Sequence, residues 1–113
     1  MDPVELFLRE TKRLLREDKY HFLEREKNKR TLIKLGWTID MVVDFIITEL
    51  TPEDIYRSNV EIGDSKLKEK FGELFAYEFK RNIPEQDLEL FIRIAKVYGE
   101  ELIVIISFHE SER

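Results

Sequence analysis

The chain has 113 residues, of which 42% are hydrophobic and 38% are charged, and its net charge is −5. This length suits one domain with a single core, and the absence of cysteine excludes disulfides, thiolate zinc sites and cysteine nucleophiles. The start, MDPVELFLRE, is unlike a signal peptide, and no apolar run approaches the roughly 20 residues of a membrane span. We therefore expect one domain over residues 1–113, in a cytoplasmic protein that has no membrane partner.

The charge is distributed unevenly along the chain. Residues 1–34 carry 10 Lys/Arg against 7 Asp/Glu, whereas residues 35–113 carry 9 against 17. The stretch REKNKR (25–30) is the densest basic cluster, and its simplest interpretation is the solvated start of a helix. An asymmetry of this kind is typical of a protein with two partners of opposite charge.

Three helices are predicted first, and Asp2-Pro3 marks the start of the first one. An aspartate cap followed by proline at the first helical position, with apolar residues at helical spacing, predicts a helix to about Glu17. The stretch KYHFLE that follows is short, aromatic and alternating, so it indicates a strand or an extended arm.

The second and third helices are separated by a glycine. Asn28 is placed to cap a short second helix, which Gly36 ends. Thr38 is placed to cap the third helix, IDMVVDFIITEL, and Thr51-Pro52 ends it. The segment TPED then predicts a tight turn.

After this turn the hydrophobic period changes from 3.6 to 2. Four strands are predicted, in the stretches DIYRSNVEI, GELFAYEFK, DLELFIRIAKV and ELIVIISFH. Helices followed by hairpin-linked strands indicate an α+β fold, with the N-terminal helices packed on one face of a mainly antiparallel sheet. The last strand is apolar on both faces, so it is predicted to be internal.

The apolar alternation predicts the register of the last two strands, because a slip of one residue turns every side chain over. Ile94 and Ile106 share the core face if paired residue numbers sum to about 200. Phe91 then lies across from His109, and Arg93 lies on the same face as both.

The preceding hairpin is predicted in the same way. Phe79 and Leu88 share the core face if the paired numbers have an odd sum near 167, which puts Glu78 opposite or diagonal to Glu89. The face turned away from the core then gathers four side chains: Glu78, Glu89, Arg93 and His109.

These residue types are the ones that RNA cleavage without a metal requires. A carboxylate accepts the 2′-hydroxyl proton, a cation holds the charge of the phosphorane, and a histidine protonates the leaving 5′-oxygen. The alternative is an ordinary solvated sheet face on which Glu and Arg are common. The other histidine, His21, has no second ligand at metal spacing, so we expect neither a metal site nor a cofactor.

Three stretches, LGWTIDMVVDFIITELTPEDIYRS, DLELFIRIAKV and LIVIISFHESE, together resemble the MqsR family of type II toxins. The resemblance is a pattern over roughly residues 5–110, and it includes the order of helices followed by strands. It implies a RelE-like microbial RNase fold and the activity of an mRNA interferase, an endoribonuclease that cuts transcripts without a metal. It also implies a cognate antitoxin that binds the protein and holds it inactive.

The resemblance also implies roles for individual residues. The family's lysine after the tyrosine of the second strand falls on Arg57, and its lysine or histidine in the closing strand falls on His109. Its tyrosine in the penultimate strand falls on Phe91, which has no hydroxyl. Whether Tyr77 or Tyr56 supplies that hydroxyl is left open.

The resulting hypothesis is a toxin endoribonuclease in which His109 is the general acid and Arg57 and Arg93 hold the phosphate. Either Glu78 or Glu89 is the candidate base, and Tyr77 is a candidate proton carrier. One alternative is a catalytically silent relative that acts as a protein- or RNA-binding module, which the loss of the family tyrosine at position 91 favours. Another is an unrelated α+β domain.

Overall fold

A computed structural model describes residues 1–112, and its first half contains the three predicted helices. They span Pro3–Arg16 (α1), Glu26–Leu35 (α2) and Ile39–Glu49 (α3). The Asp2 side chain accepts a hydrogen bond from the Val4 amide at 2.8 Å, which is the capping predicted for α1.

The other predicted helix ends agree with the structure, except for the start of α2. Thr38 caps α3 by accepting a hydrogen bond from the Met41 amide, and Gly36 ends α2 in the left-handed conformation with φ +72°. The prediction that Asn28 caps α2 is wrong, because α2 begins two residues earlier, after Arg25.

The described residues form one five-stranded sheet. Its strands span Tyr20–Phe22 (β1), Ile55–Glu61 (β2), Phe75–Ile83 (β3), Leu88–Lys96 (β4) and Ile103–Glu110 (β5). The order across the sheet is β1-β5-β4-β3-β2, and all neighbours are antiparallel except the short β1, which is parallel to β5. The α+β fold class and the internal position of the last strand are therefore confirmed.

A fourth helix was not predicted. Residues Ser65–Phe71 form α4 between β2 and β3, and the Asp64 carboxylate caps it by accepting hydrogen bonds from Lys66 and Leu67. The helix has only seven residues, so it shows too few apolar repeats to be recognised by period. The prediction that all helices precede the sheet is wrong at this point.

The register of β4 and β5 is correct near the cleft described below and wrong at the other end. Phe91 pairs with His109 and Arg93 pairs with Ser107, as predicted, but Ile94 pairs with Ile105. The extra residue, Ile106, forms a β-bulge and turns to the face opposite Ile94. A bulge leaves no signal in an apolar run, so parity alone could not place it.

The hairpin of β3 and β4 has the predicted odd parity but a different sum. Phe79 and Leu88 share the core face, yet the pairs sum to 171, so that Glu78 lies directly across from Arg93. Glu89 pairs with Asn82 and is not opposite Glu78. The turn is longer on the β4 side than predicted because residues 84–86 form a 3₁₀ turn.

The two faces of the sheet are covered differently. Helices α1, α2 and α3 pack on one face, here called the helix face, and enclose the main core. On the opposite face, α4 covers one end with a smaller apolar group that includes Leu67, Ala76, Ala95 and Val104. The other end of that face is uncovered. None of the helices in residues 1–112 combines the length and apolar character that crossing a membrane requires.

Candidate active site

A cleft of about 620 Å³ lies on the uncovered end of the sheet face opposite α1 and α3. One wall is the start of α2, residues 25–28, and the strands β2 to β5 form the floor. The side chains on this floor include Tyr56, Arg57, Lys80, Phe91, Arg93, Ser107 and His109, and Glu78 lies beneath them. We call this surface the cleft.

Two irregularities in the sheet turn additional side chains towards the cleft. Neighbouring residues of a regular strand face opposite ways, but Tyr56 and Arg57 both line the cleft, because the register of β2 against β3 shifts between Ile55 and Arg57. On β5, the bulge at Ile106 changes the phase, so that Ser107 lies on this face.

The residues of the floor lie in two cross-strand rows. Arg57, Glu78, Arg93 and Ser107 pair in sequence across β2, β3, β4 and β5, and form the arginine row. Lys80, Phe91 and His109 pair across β3, β4 and β5, and Tyr56 contacts Phe91 and Lys80 from β2, which completes the aromatic row.

Glu78 is the centre of the arginine row. Its side chain has no exposed surface, and its two carboxylate oxygens each accept a hydrogen bond of 2.7 Å, one from Nε of Arg57 and one from Nε of Arg93. The Arg57 side chain is 55% exposed and that of Arg93 is 26% exposed. The row therefore carries one net positive charge, and its guanidinium groups reach the surface of the cleft.

The aromatic row places three rings and a lysine side by side. The ring centroids of Phe91 and His109 are 5.5 Å apart, and those of Tyr56 and Phe91 are 6.5 Å apart. The Lys80 ammonium lies 4.1 Å from the centre of the Tyr56 ring, and Arg93 lies 5.4 Å from that of Phe91. Flat rings with nearby cations form a surface on which other planar groups can stack.

His109 is held in place by its neighbours on β5 and by α2. Its Nδ1 lies 2.9 Å from the carbonyl oxygen of Glu110, and since a carbonyl can only accept, Nδ1 donates and Nε2 remains available. The Asn28 side chain donates to the carbonyl of Ile106 and accepts from the amide of Phe108, on the strand just before His109. The buried side-chain amide of Asn28 thus makes hydrogen bonds to β5 that a longer β1 would otherwise make.

Ion pairs close the rim of the cleft beside α2. Arg25 contacts Asp64 at 3.0 Å. The pKa of the Asp64 carboxyl is lowered, first by a hydrogen bond from the backbone amide of Leu67, and also by one from the amide of Lys66 and by the charge of Arg25. Lys27 pairs with Glu112. The hydrogen bond from Lys27 lowers the pKa of Glu112, and the nearby charge of His109 acts in the same direction.

The structure brings four of the six predicted site residues together and separates two from them. Arg57, Glu78, Arg93 and His109 all belong to the two rows. Tyr77 lies on the helix face, where its ring stacks on Phe7 at 4.1 Å between centroids. Glu89 is on the same face as the cleft, but four residues along β4 from Arg93, about 13 Å away.

Several residues of the cleft are not among the predicted site residues. Lys80 is one of them, although it has the same parity as Glu78 and therefore shares its face. Asn28 was assigned to a helix cap, and no pattern in the sequence pointed to a contact with β5. The basic stretch 25–30 is the largely exposed start of α2, as predicted, and Arg25 and Lys27 in this stretch also line the cleft.

Within residues 1–112, no group of three or more His, Asp or Glu side chains is arranged to hold a metal ion. No known family matches this chain, and no curated protein or solved structure is similar enough to count as a match.

Proposed function

We propose that the protein is an endoribonuclease of the toxin type, which cuts single-stranded messenger RNA within the cleft. The observation that carries the proposal is that two arginines and a histidine line one open cleft, Arg57 and Arg93 in one row and His109 in the next. The resemblance to the MqsR family selects Arg57 and His109 by a separate route, from sequence pattern alone.

In the proposed reaction, the 2′-hydroxyl oxygen attacks the adjacent phosphorus and the bond from phosphorus to the 5′-oxygen breaks. The products are a 2′,3′-cyclic phosphate and a free 5′-hydroxyl. Arg57 and Arg93 stabilise the additional negative charge on the phosphorane, and Nε2 of protonated His109 gives its proton to the departing 5′-oxygen. Arginine suits the first role because it stays charged at any working pH.

The aromatic row supplies a place for the bases next to the scissile phosphate. Unpaired bases stack on exposed aromatic rings irrespective of their sequence, and a paired duplex cannot reach such a surface. Tyr56 and Phe91 are suitable for this contact, and the Tyr56 hydroxyl is the candidate for the donor that Phe91 lacks.

The reaction also requires a base that takes the 2′-hydroxyl proton. Glu78 is a poor candidate because both of its oxygens already accept hydrogen bonds from arginine and its side chain is fully buried. Glu89 is the candidate for this role, since it lies on β4 two residues before Phe91, one step beyond the aromatic row.

The test is cleavage of a short single-stranded RNA in the presence of EDTA, with the product ends analysed for a 2′,3′-cyclic phosphate. His109→Ala should lower the rate about 10²–10⁴-fold, the usual effect of losing one acid–base group. His21→Ala is the matched control, because His21 lies on β1 against Phe71 and outside the cleft, and it should cleave at the parental rate. Equal rates for His109→Ala and the parent, both folded, would refute the assignment.

Phe91 favours a second candidate function, that of a binding module without catalysis. In this case the cleft would hold RNA or a protein through the same rows, but the hydroxyl of the family tyrosine would be missing. Binding of the RNA without cleavage by the parental protein identifies this function.

We also propose that a cognate antitoxin binds this protein, as the resemblance implies. The reading frame beside the gene should encode a short protein that copurifies with this chain through size exclusion. A monomer peak next to the unbound neighbour would contradict the pairing.

A further inference from the structure

Glu78 is a charged group buried completely beneath an otherwise open face of the sheet. Removing a carboxylate from water is costly, and the cost is compensated only when its oxygens find strong partners. Each oxygen has one, since Arg57 and Arg93 donate at 2.7 Å from either side. A neutral residue could have filled the same space without the free-energy cost of burying the Glu78 carboxylate.

The hydrogen bonds leave part of each guanidinium free. Arg57 uses Nε for Glu78, and Arg93 uses Nε and one terminal nitrogen. A guanidinium carries five N–H donors in a fixed plane, so most of the terminal donors of Arg57 and some of those of Arg93 remain unused by Glu78. Fixing Nε fixes the plane, and thereby the directions in which these remaining donors point.

We propose that Glu78 is a positioning residue, which holds the two guanidinium groups as a preformed clamp for a single phosphate of the substrate. Without the carboxylate, the like charges of Arg57 and Arg93, on the two strands that flank β3, would repel each other, and both long side chains would move among many rotamers. With it, the repulsion is replaced by two attractive contacts, and the clamp keeps one net positive charge. This role rests on the proposed function, and it adds Glu78 to the proposed site as the residue that orders Arg57 and Arg93.

Positioning and simple electrostatics differ in the kcat that they predict for one substitution. Glu78→Gln keeps the shape and removes a negative charge, so electrostatics alone would strengthen the binding of an anionic strand. Because Arg57 and Arg93 contact different oxygens of Glu78, the amide turns its acceptor oxygen to one arginine and its NH₂ group, a donor, to the other. Positioning therefore predicts an unchanged or tighter KM together with a lower kcat.

The first measurement is steady-state cleavage of a short single-stranded RNA. Glu78→Gln should lower kcat about 10²-fold, the effect of a displacement of about 1 Å in a catalytic group, without raising KM. Glu78→Asp keeps the charge but shortens the side chain, so it should also lower kcat. Asp54→Asn is the control, because it disturbs an ion cluster around Arg81 on the helix face, and its kcat should equal that of the parent. A kcat for Glu78→Gln within twofold of the parent overturns the proposal.

The second measurement does not depend on RNA cleavage. In the parental protein, the Nε–H protons of Arg57 and Arg93 should exchange with water far more slowly than that of exposed Arg30, and ¹H–¹⁵N spectra measure these exchange rates. Added inorganic pyrophosphate should shift the signals of both arginines together in the parent, whereas in Glu78→Gln the anion should still bind but the two signals should shift independently of each other. If the parent does not cleave RNA, the proposed function fails, while slow exchange and the joint shift still support the clamp. Exchange as fast as that of Arg30 overturns the clamp, even if the variants do not fold.

Discussion

Two clusters of charged side chains lie on opposite faces of the same strand, β3, and they are assembled in opposite ways. On the cleft side, one carboxylate, Glu78, lies between two arginines. On the helix face, one arginine, Arg81, lies between two carboxylates, with Asp54 at 3.1 Å and Glu49 at 3.4 Å. Arg81 also donates to the backbone carbonyl of Glu49 at 2.7 Å.

The difference indicates what each cluster is suited to do. Around Arg81 the donors of the central guanidinium are directed at parts of the protein, the end of α3 and the turn at residues 52–54, so this cluster fastens secondary structure. Around Glu78 the cations are at the outside, and part of their donors face the cleft. A group with cations outermost is suited to binding an anion, which gives a way to separate structural from functional ion pairs.

The largest change in stability is expected from Arg93→Met. It leaves the buried Glu78 with a single partner, so the free energy of unfolding should fall by about 2–4 kcal/mol. Urea unfolding at neutral pH measures the change. A loss below about 0.5 kcal/mol would show that Glu78 is well solvated without Arg93.

Arg81→Met should have a smaller effect on stability and none on the cleft. Asp54 is mostly buried and Glu49 is half exposed, so losing their partner should cost about 1–2 kcal/mol of unfolding free energy. The affinity for a single-stranded oligonucleotide, measured by fluorescence anisotropy, should stay at the parental value. A weaker affinity would mean that the two clusters are coupled through β3.

Replacing the whole cleft cluster by apolar residues should change stability less than Arg93→Met alone. In Arg57→Met/Glu78→Leu/Arg93→Met no buried charge is left unpaired, so the free energy of unfolding should remain within about 1 kcal/mol of the parent. Oligonucleotide binding should nevertheless be lost. A strongly destabilised triple variant would show that the cluster has a structural role of the kind that Arg81 has.

A smaller effect is expected at the rim, where Asp64 is exposed. Because the pKa of this carboxyl is lowered in the folded state, its charge stabilises the fold above the ordinary value of 3.8 and this contribution is lost as the pH falls through the lowered value. Asp64→Asn keeps a capping oxygen but cannot titrate. The urea midpoints of parent and variant should differ at pH 7 and converge well below pH 3.8, and a constant difference would contradict this origin.

The sequence was sufficient for the fold class, and it brought Arg93 and His109 to one face, because strand parity depends only on the alternation of apolar residues. It failed wherever the backbone is irregular. Because of the bulge at Ile106, Ile94 pairs with Ile105 and not with Ile106. Because the turn after β3 is longer than predicted, Glu78 lies across from Arg93 and not beside Glu89. These features depend on local backbone geometry, and no side-chain pattern records them.

The contact of Asn28 with β5 has a consequence for self-association. An uncovered strand edge can pair with another chain, and β1 protects β5 over only three residues, Tyr20–Phe22. Beyond that point Asn28 bonds the edge groups of Ile106 and Phe108, and Thr31 accepts from the Glu110 amide at 2.9 Å. Helix α2 thus prevents a further strand from pairing with this edge of β5. The other edge of the sheet is β2, and its register shifts make it a poor template for aggregation.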